Sequence, residues 1–121
     1  MRFKLYTYYD GEPLEALAYM EFTLTGEPQF FMYREGRVVK VTKHNRIIKS
    51  LYFEYDDEYF PTTDKFYLKE LYVDYVDRMI MNCTTETELT LILAQIPFNK
   101  LDTVHREQLA ESVRFLHEEW Y

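Results

Sequence analysis

The residue types that carry catalysis occur singly in this sequence. Neither serine, Ser50 or Ser112, sits in a sharp strand-to-helix turn, and the single cysteine, Cys83, ends an apolar helical stripe, as a small core residue does. His105 and His117 are twelve residues apart, or about 120° around a helix, so they point in different directions rather than at one metal ion. The three glycines stand alone in turns, which argues against a phosphate-binding loop. We therefore predict no catalytic residue, no metal and no cofactor.

The carboxylates are the reactive side chains whose spacing is informative. Glu70, Asp74 and Asp77 follow one another at i, i+4 and i+7, which places them on one face of a predicted helix, opposite Leu68 and Tyr72. Just before this helix, four acids and two tyrosines form a group that we call the acidic segment: Glu54, Tyr55, Asp56, Asp57, Glu58 and Tyr59. The two groups together predict an acidic surface formed by the second half of the chain.

Two interpretations of this acidic surface are open. Like charges at i, i+4 cost only a few tenths of a kcal/mol, so a solvated helix face and a solubilising loop explain the pattern. Alternatively, the carboxylates pair with lysines and arginines of a basic partner, and the interleaved tyrosines supply rigid contact area of the kind found at interfaces. The second interpretation makes all nine residues of the two groups candidate partner-binding residues.

The net charge of −7 is unevenly distributed. Residues 1–50 contain eight bases and six acids, whereas residues 51–121 contain six bases and fifteen acids. In the first half, bases cluster over 34–49, near Phe31 and Tyr33, and such mixtures of cations and stacking rings are typical of nucleic-acid-binding proteins. Edge-strand lysines that discourage aggregation explain the same cluster, and the overall negative charge argues against nucleic-acid binding.

These features lead to three hypotheses about function, none of them enzymatic. The first is a small acidic protein-binding module that inhibits a nuclease or similar enzyme by occupying its basic groove as a nucleic-acid mimic, as mobile elements do against restriction or CRISPR nucleases. The second is direct nucleic-acid binding through 34–49. The third is a self-associating structural or accessory subunit, because nine Phe and twelve Tyr are more than one small core hides easily. The candidate dimer residues are Tyr6, Tyr8 and Tyr9, or Trp120 and Tyr121.

Alternation with a period of two predicts strands in the first half of the chain. Turns rich in Gly and Pro at 10–13 and 25–28 separate the first strands, and Glu35-Gly36 predicts a short hairpin connection. The predicted strands are 3–8, 14–24, 29–34, 37–43 and 47–55.

Helical periodicity characterises the second half of the chain. It predicts a first helix over about 65–82, a second that begins at a Thr85/Glu88 capping box, and a third that is capped by Asp102 or Thr103. A run of strands followed by a run of helices is typical of an α+β fold. We therefore predict an antiparallel sheet of four or five strands in the N-terminal half, packed by two or three helices in the C-terminal half.

The size and composition set the domain count and the cellular compartment that we expect. A chain of 121 residues with 47% apolar composition predicts a single domain over 1–121. No apolar run approaches the roughly 20 residues of a membrane span, and the N-terminus does not resemble an export signal. Because a lone Cys83 forms no internal disulfide, we expect a protein of the reducing cytoplasm.

Overall fold

The computed structural model describes residues 1–121 and confirms the α+β fold, with six strands rather than four or five. The strands are β1 (Phe3–Tyr9), β2 (Glu12–Phe22), β3 (Pro28–Arg34), β4 (Arg37–Val41), β5 (Tyr52–Tyr55) and β6 (Glu58–Pro61). The helices are α1 (Arg46–Lys49), α2 (Lys65–Met81), α3 (Glu86–Leu93) and α4 (Thr103–Trp120), with a 3₁₀ turn at Phe98–Lys100. All strand pairs are antiparallel, in the order β4-β3-β2-β1-β5-β6.

The chain divides into two compact units. The first contains 1–23 and 27–69, which hold the sheet, α1 and the first residues of α2. The second contains 24–26 and 70–121, which hold the rest of α2 together with α3 and α4. That the whole chain is a single domain stays a prediction.

Three hairpin turns of the sheet share one backbone geometry. Each two-residue turn holds both residues at positive φ: Asp10 and Gly11 (53° and 77°), Glu35 and Gly36 (49° and 76°), and Asp56 and Asp57 (52° and 63°). This geometry matches a type I′ turn, whose twist fits that of the flanking strands. The third turn is the exception in composition because it contains no glycine, so two aspartates occupy the left-handed region that L residues enter only at a cost.

The two faces of the sheet differ in composition. Leu5 pairs with Phe53, and Met20 with Phe30, on a face where all four side chains are at most 2% exposed. The opposite face carries seven aromatic side chains, as the strand registers show: Tyr6, Tyr8, Tyr19, Phe31, Tyr33, Tyr52 and Tyr59. The surplus of aromatic residues in the sequence is therefore divided between a buried and a more open face of one sheet.

The prediction of a strand over 47–55 is wrong in its first half. The side-chain oxygen of Asn45 accepts hydrogen bonds from the backbone N–H groups of Ile47 and Ile48, at 2.9 and 3.2 Å, and so caps the single turn of α1. The β-branched residues that favour a strand are overruled by this local cap. Ile48 is fully buried, which gives the turn an apolar anchor.

Strand β6 lies in the polar stretch for which no strand was predicted. Its Phe60 pairs with Phe53 of β5, and the Phe60 ring stacks on Tyr67 of α2 with the centroids 3.8 Å apart. The Asp64 carboxylate accepts a hydrogen bond from the Tyr67 N–H at 3.0 Å, as an N-terminal cap does. The aromatic stack and this cap fix the start of α2 beside the β5–β6 hairpin.

Helix α2 is buried on more than one side. Leu71, Val73 and Val76 are all buried, although Val73 lies about 160° around the helix from Leu71, and the Tyr72 hydroxyl donates to the backbone carbonyl of Leu24. Burial raises the pKa of Tyr72 to about 12, so the hydroxyl stays a donor at any physiological pH. None of the helices in the chain combines the length and apolar character of a membrane-spanning helix.

The α3 and α4 helices start at the predicted positions, but their predicted caps form only in part. Thr85 caps α3, its hydroxyl accepting from the Glu88 N–H at 3.2 Å, although the Glu88 carboxylate accepts from the N–H of Thr84 rather than of Thr85. Asp102 precedes the first residue of α4 but forms no side-chain cap. The helical half of the chain therefore follows its sequence signals more closely than the sheet does.

The third turn makes a stability prediction. Asp57→Gly should raise the free energy of unfolding by about 0.5–1 kcal/mol, because glycine enters the left-handed region without the penalty that aspartate pays. Urea denaturation of the two proteins measures the change. In the matched control, Gly36→Ala should lower stability, since a Cβ at Gly36 meets no atom within 4 Å and only the positive φ opposes it. A destabilised Asp57→Gly would contradict the assignment of this turn.

Candidate functional site

The acidic segment folds as one hairpin made of β5, β6 and the turn between them. Asp56 and Asp57 form the turn, and the strand register places Glu54 opposite Tyr59 on one face of the sheet. All four carboxylates of the segment are exposed, whereas its two tyrosines are half-buried. The structure therefore gathers the six predicted residues of this segment at one edge of the sheet.

The carboxylates of this hairpin have no positively charged neighbour within ion-pair distance. The six ion pairs of the structure all involve other acids, namely Glu15, Glu21, Glu70, Glu86, Asp102 and Glu111. Four like charges within five residues repel one another, and water and salt alone screen them. The four carboxylates thus give the hairpin a strong negative potential, and no cationic side chain of the protein forms an ion pair with them.

A cluster of four tyrosines continues this surface across the sheet. The Tyr59 ring lies 5.1 Å from that of Tyr6 and 6.2 Å from that of Tyr8, and Tyr8 lies 5.0 Å from Tyr52, all measured between ring centroids. All three contacts are edge-to-face, the arrangement that aromatic rings prefer. We call Tyr6, Tyr8, Tyr52 and Tyr59 the tyrosine cluster.

The Glu54 carboxylate of the hairpin affects the pKa of two tyrosines in this cluster. Burial of the ring and the nearby Glu54 charge, to which the Tyr59 side chain is also hydrogen-bonded, raise the pKa of Tyr59. Burial and the same carboxylate raise the pKa of Tyr6. The Tyr59 and Tyr6 phenols therefore stay neutral, and they present hydroxyl groups and ring faces beside the carboxylates. The sequence predicts only Tyr59 of the cluster as a partner-binding residue and names Tyr6 and Tyr8 as candidate dimer residues, because the cross-strand pairing that unites the four is not visible in the sequence.

The three acids of α2 do not lie on a free helix face. The Glu70 carboxylate contacts the His105 Nε2 atom at 2.7 Å, and the Asp77 carboxylate accepts a hydrogen bond from the Ser112 hydroxyl. Asp74 is hydrogen-bonded to the side chain of Gln108. This pair lies about one helical turn from each of the other two. We call these three pairs the α2–α4 seam.

The seam shows how the two helices are arranged. The paired residues follow the same order along both helices, from Glu70 and His105 to Asp77 and Ser112. Helices α2 and α4 therefore run parallel where they meet. Glu70 keeps 25% of its side chain exposed and His105 only 7%. The expectation that these acids form an exposed stripe is therefore corrected, whereas their binding of a partner stays a prediction.

Partial burial in the seam disfavours the ionised form of the Asp74 carboxylate. Burial raises its pKa, and the charges of Asp77 and Glu70 act in the same direction, while the Gln108 hydrogen bond and the Arg78 charge oppose the shift. A raised pKa means that the folded protein holds this proton more tightly than the unfolded chain does. Ionised Asp74 therefore lowers stability at neutral pH.

The bases of the first half lie at the other end of the sheet. Arg37 and Lys40 are on the edge strand β4, and the chain continues through further exposed bases toward α1. Exposed bases without an ion pair in this region are Arg34, Arg37, Lys40, Lys43, Arg46 and Lys49. The sheet thus carries unpaired negative charge at its β6 edge and unpaired positive charge at its β4 edge.

The remaining chemically reactive groups form no second site. The Cys83 thiol is buried, donates to the Met79 carbonyl at 3.3 Å, and has a pKa raised by burial, so it is a poor nucleophile. No three His, Cys, Asp or Glu side chains are grouped so as to hold a metal ion.

The chain matches no protein-family model, no curated protein and no solved structure.

The seam makes a prediction about pH. Asp74→Asn should raise stability at pH 7, because the amide keeps the Gln108 hydrogen bond without a desolvated charge. As the pH falls through the range where carboxyls take up protons, the free energy of unfolding of the wild type rises relative to that of the variant. The gap in stability closes once Asp74 is protonated in both the folded and the unfolded state. Thermal unfolding at several pH values measures this. Glu107→Gln on the exposed face of α4 is the control, and an Asp74→Asn variant less stable than wild type at pH 7 would contradict the account.

Proposed function

We propose that this protein is a small protein-binding module whose acidic segment occupies the basic, nucleic-acid-binding surface of a partner protein. The observation that carries the proposal is that four exposed carboxylates on one hairpin lack any cationic neighbour within ion-pair distance. A partner that brings lysines and arginines would supply the missing counter-charges. No covalent step is involved.

Electrostatics give this interaction its expected character. An exposed ion pair contributes roughly 0.2–1 kcal/mol, so the hairpin carboxylates together supply one to a few kcal/mol and also accelerate the encounter by steering. Salt screens such contacts, with a Debye length of about 10 Å at 0.1 M ionic strength. Binding that depends on the acidic segment should accordingly weaken steeply as salt is added.

The tyrosine cluster supplies contacts that salt does not abolish. Lys and Arg stack on tyrosine rings through cation–π attraction, and tyrosine is enriched in interface cores. Tyr8 is 45% exposed and adjoins Tyr59, so a cation paired with the hairpin has a ring face within reach. Carboxylates and rings side by side favour a protein with a groove of arginines and lysines over a small cation.

Basic grooves of this kind belong most often to proteins that bind nucleic acid, and the proposed action is inhibition by occupancy. The module would compete with phosphate groups for the same cations in a nuclease or related enzyme. Proteins of this sort that mobile elements direct against restriction or CRISPR systems are one setting for it. A cytoplasmic location is part of the proposal, since such enzymes act there and Cys83 is a free thiol.

The proposal predicts the behaviour of a charge-neutralised hairpin. Asp56→Asn, Asp57→Asn and Glu58→Gln combined should reduce capture of basic proteins from a lysate by about threefold to a hundredfold, because three exposed ion-pair contacts of roughly 0.2–1 kcal/mol each are lost. The captured proteins should also be displaced by duplex DNA and by 0.5 M NaCl. Immobilised protein, competitor elution and mass spectrometry measure these effects.

A matched control separates this surface from net charge. Glu107→Gln, Glu118→Gln and Glu119→Gln remove the same charge from exposed positions on α4 and should leave capture unchanged. Equal loss with both triple variants would show a non-specific charge effect. Capture that is indifferent to salt and to DNA would remove the proposal.

Direct nucleic-acid binding is the second candidate, favoured by the unpaired bases over 34–49. Tyr19 and Phe31 stack on the same sheet face as Lys40, with centroids 4.9 Å apart, and Tyr33 is 42% exposed beside them. A gel shift with short single- and double-stranded DNA and RNA distinguishes the two functions. A retarded band from the isolated protein supports this candidate, whereas the acidic-segment proposal expects none.

A further inference from the structure

The two edge strands of the sheet carry opposite charges. On β4 and just after it, Arg37, Lys40 and Lys43 are exposed and form no ion pair. At the β6 edge, the carboxylates of Asp57 and Glu58 are also exposed and form no ion pair. Each edge strand pairs with one neighbour only, β4 with β3 and β6 with β5. Both edges therefore expose one side of their backbone as well as their charge.

The directions of these edge strands suit a repeat of the same molecule. Because every neighbouring pair is antiparallel, β4 and β6 run in opposite directions. A second copy in the same orientation, displaced across the strands, brings its β4 antiparallel to the first copy's β6. Its aromatic face then continues the aromatic face of the first.

The backbone groups that are free at each edge follow from the turns. Arg34 pairs with Arg37 across a two-residue turn, so hydrogen-bonded pairs alternate from there and the N–H and C=O groups of Val38 and Lys40 point outward. By the same reasoning from the β5–β6 turn, Tyr59 and Pro61 point outward on β6. Pro61 offers a carbonyl but no N–H.

We propose that β6 of one copy pairs with β4 of the next, with Tyr59 opposite Lys40. This register places Phe60 beside Val39, which is 38% exposed although it lies on the sheet face that is buried elsewhere. It also places Lys43 near the aspartates of the acidic turn, and Lys40 in the same cross-strand row as Glu54. The inference rests on the proposed function in that the acidic segment binds a basic surface, here the β4 edge of a second copy.

Charge excludes the symmetric alternatives. Two β4 edges would oppose cations and two β6 edges would oppose carboxylates, and like charges placed directly opposite destabilise a strand pair. The β4–β6 contact is heterologous, so it builds open chains or rings rather than a closed two-fold dimer. About three backbone hydrogen bonds form per contact, because Pro61 withholds one donor. The association is consequently weak and sensitive to salt.

Cysteine cross-linking tests the register. In it, Glu58 lies opposite Val41 as a non-hydrogen-bonded pair, where Cα atoms are about 4.5 Å apart and a disulfide fits. Glu58→Cys and Val41→Cys are made as separate proteins, one carrying a tag so that dimers differ in mass, and are mixed with oxidised glutathione. The buried Cys83 does not compete. The heterodimer should exceed both homodimers at least about fivefold at 50 mM NaCl and fall to their level at 0.5 M.

Three outcomes would overturn the proposal: a Val41→Cys homodimer in excess, a Glu58→Cys homodimer in excess, or no excess of any dimer. A second variant separates this inference from the proposed function. Lys40→Glu with Lys43→Glu should abolish heterodimer cross-linking when built into the Val41→Cys protein, yet it leaves the acidic segment intact and so preserves capture of external basic proteins. If the protein with wild-type Lys40 and Lys43 forms the heterodimer but captures no external basic protein, self-association stands and the proposed function fails.

Discussion

A carboxylate that leaves water must find a hydrogen-bond donor, and this constraint decides which acids of the chain are free. The donors for α2 come from α4, where His105, Gln108 and Ser112 follow one another at helical spacing. Hydrogen bonds to charged groups contribute roughly 1.5–3 kcal/mol each, and a missing partner costs a similar amount. Three acids and three donors thus fix the axial position of one helix against the other, since a shift by one residue breaks every pair.

The acids of the acidic segment, which form no ion pair, include two residues in an unfavourable backbone conformation. Asp56 and Asp57 adopt left-handed conformations that glycine would tolerate better, and both carry charge beside other carboxylates. Two other hairpins of the same sheet place glycine at the equivalent second position. Charge at a site where stability favours glycine is a feature that supports the proposed binding role of this turn. The opposite edge of the sheet holds unpaired bases, so the first unit has a charge separation along its sheet.

The sequence specified the fold class and most elements through local signals. The Glu35-Gly36 turn and the Thr85 cap are visible because their chemistry is contained in a few neighbouring residues. Strand β6 was missed because its turn lacks glycine, and α1 was missed because the Asn45 cap competed with a β-branched run. The candidate site divides in the same way. The acidic segment is contiguous, so its grouping is visible in the sequence, whereas the seam and the tyrosine cluster depend on which elements meet, and periodicity carries no information about that.

The hydrogen bonding of the α2 acids to α4 is the central structural claim, and a pair of double-mutant cycles tests it directly. Glu70 with His105, and Glu86 with His117, are both glutamate–histidine pairs that end on α4, but only the first is largely buried. Alanine substitutions and urea denaturation at pH 7 should give a coupling of about 1–2 kcal/mol for the first pair and below about 0.5 kcal/mol for the exposed second pair. Coupling near zero for Glu70 and His105 would return the α2 acids to the free surface and contradict the account.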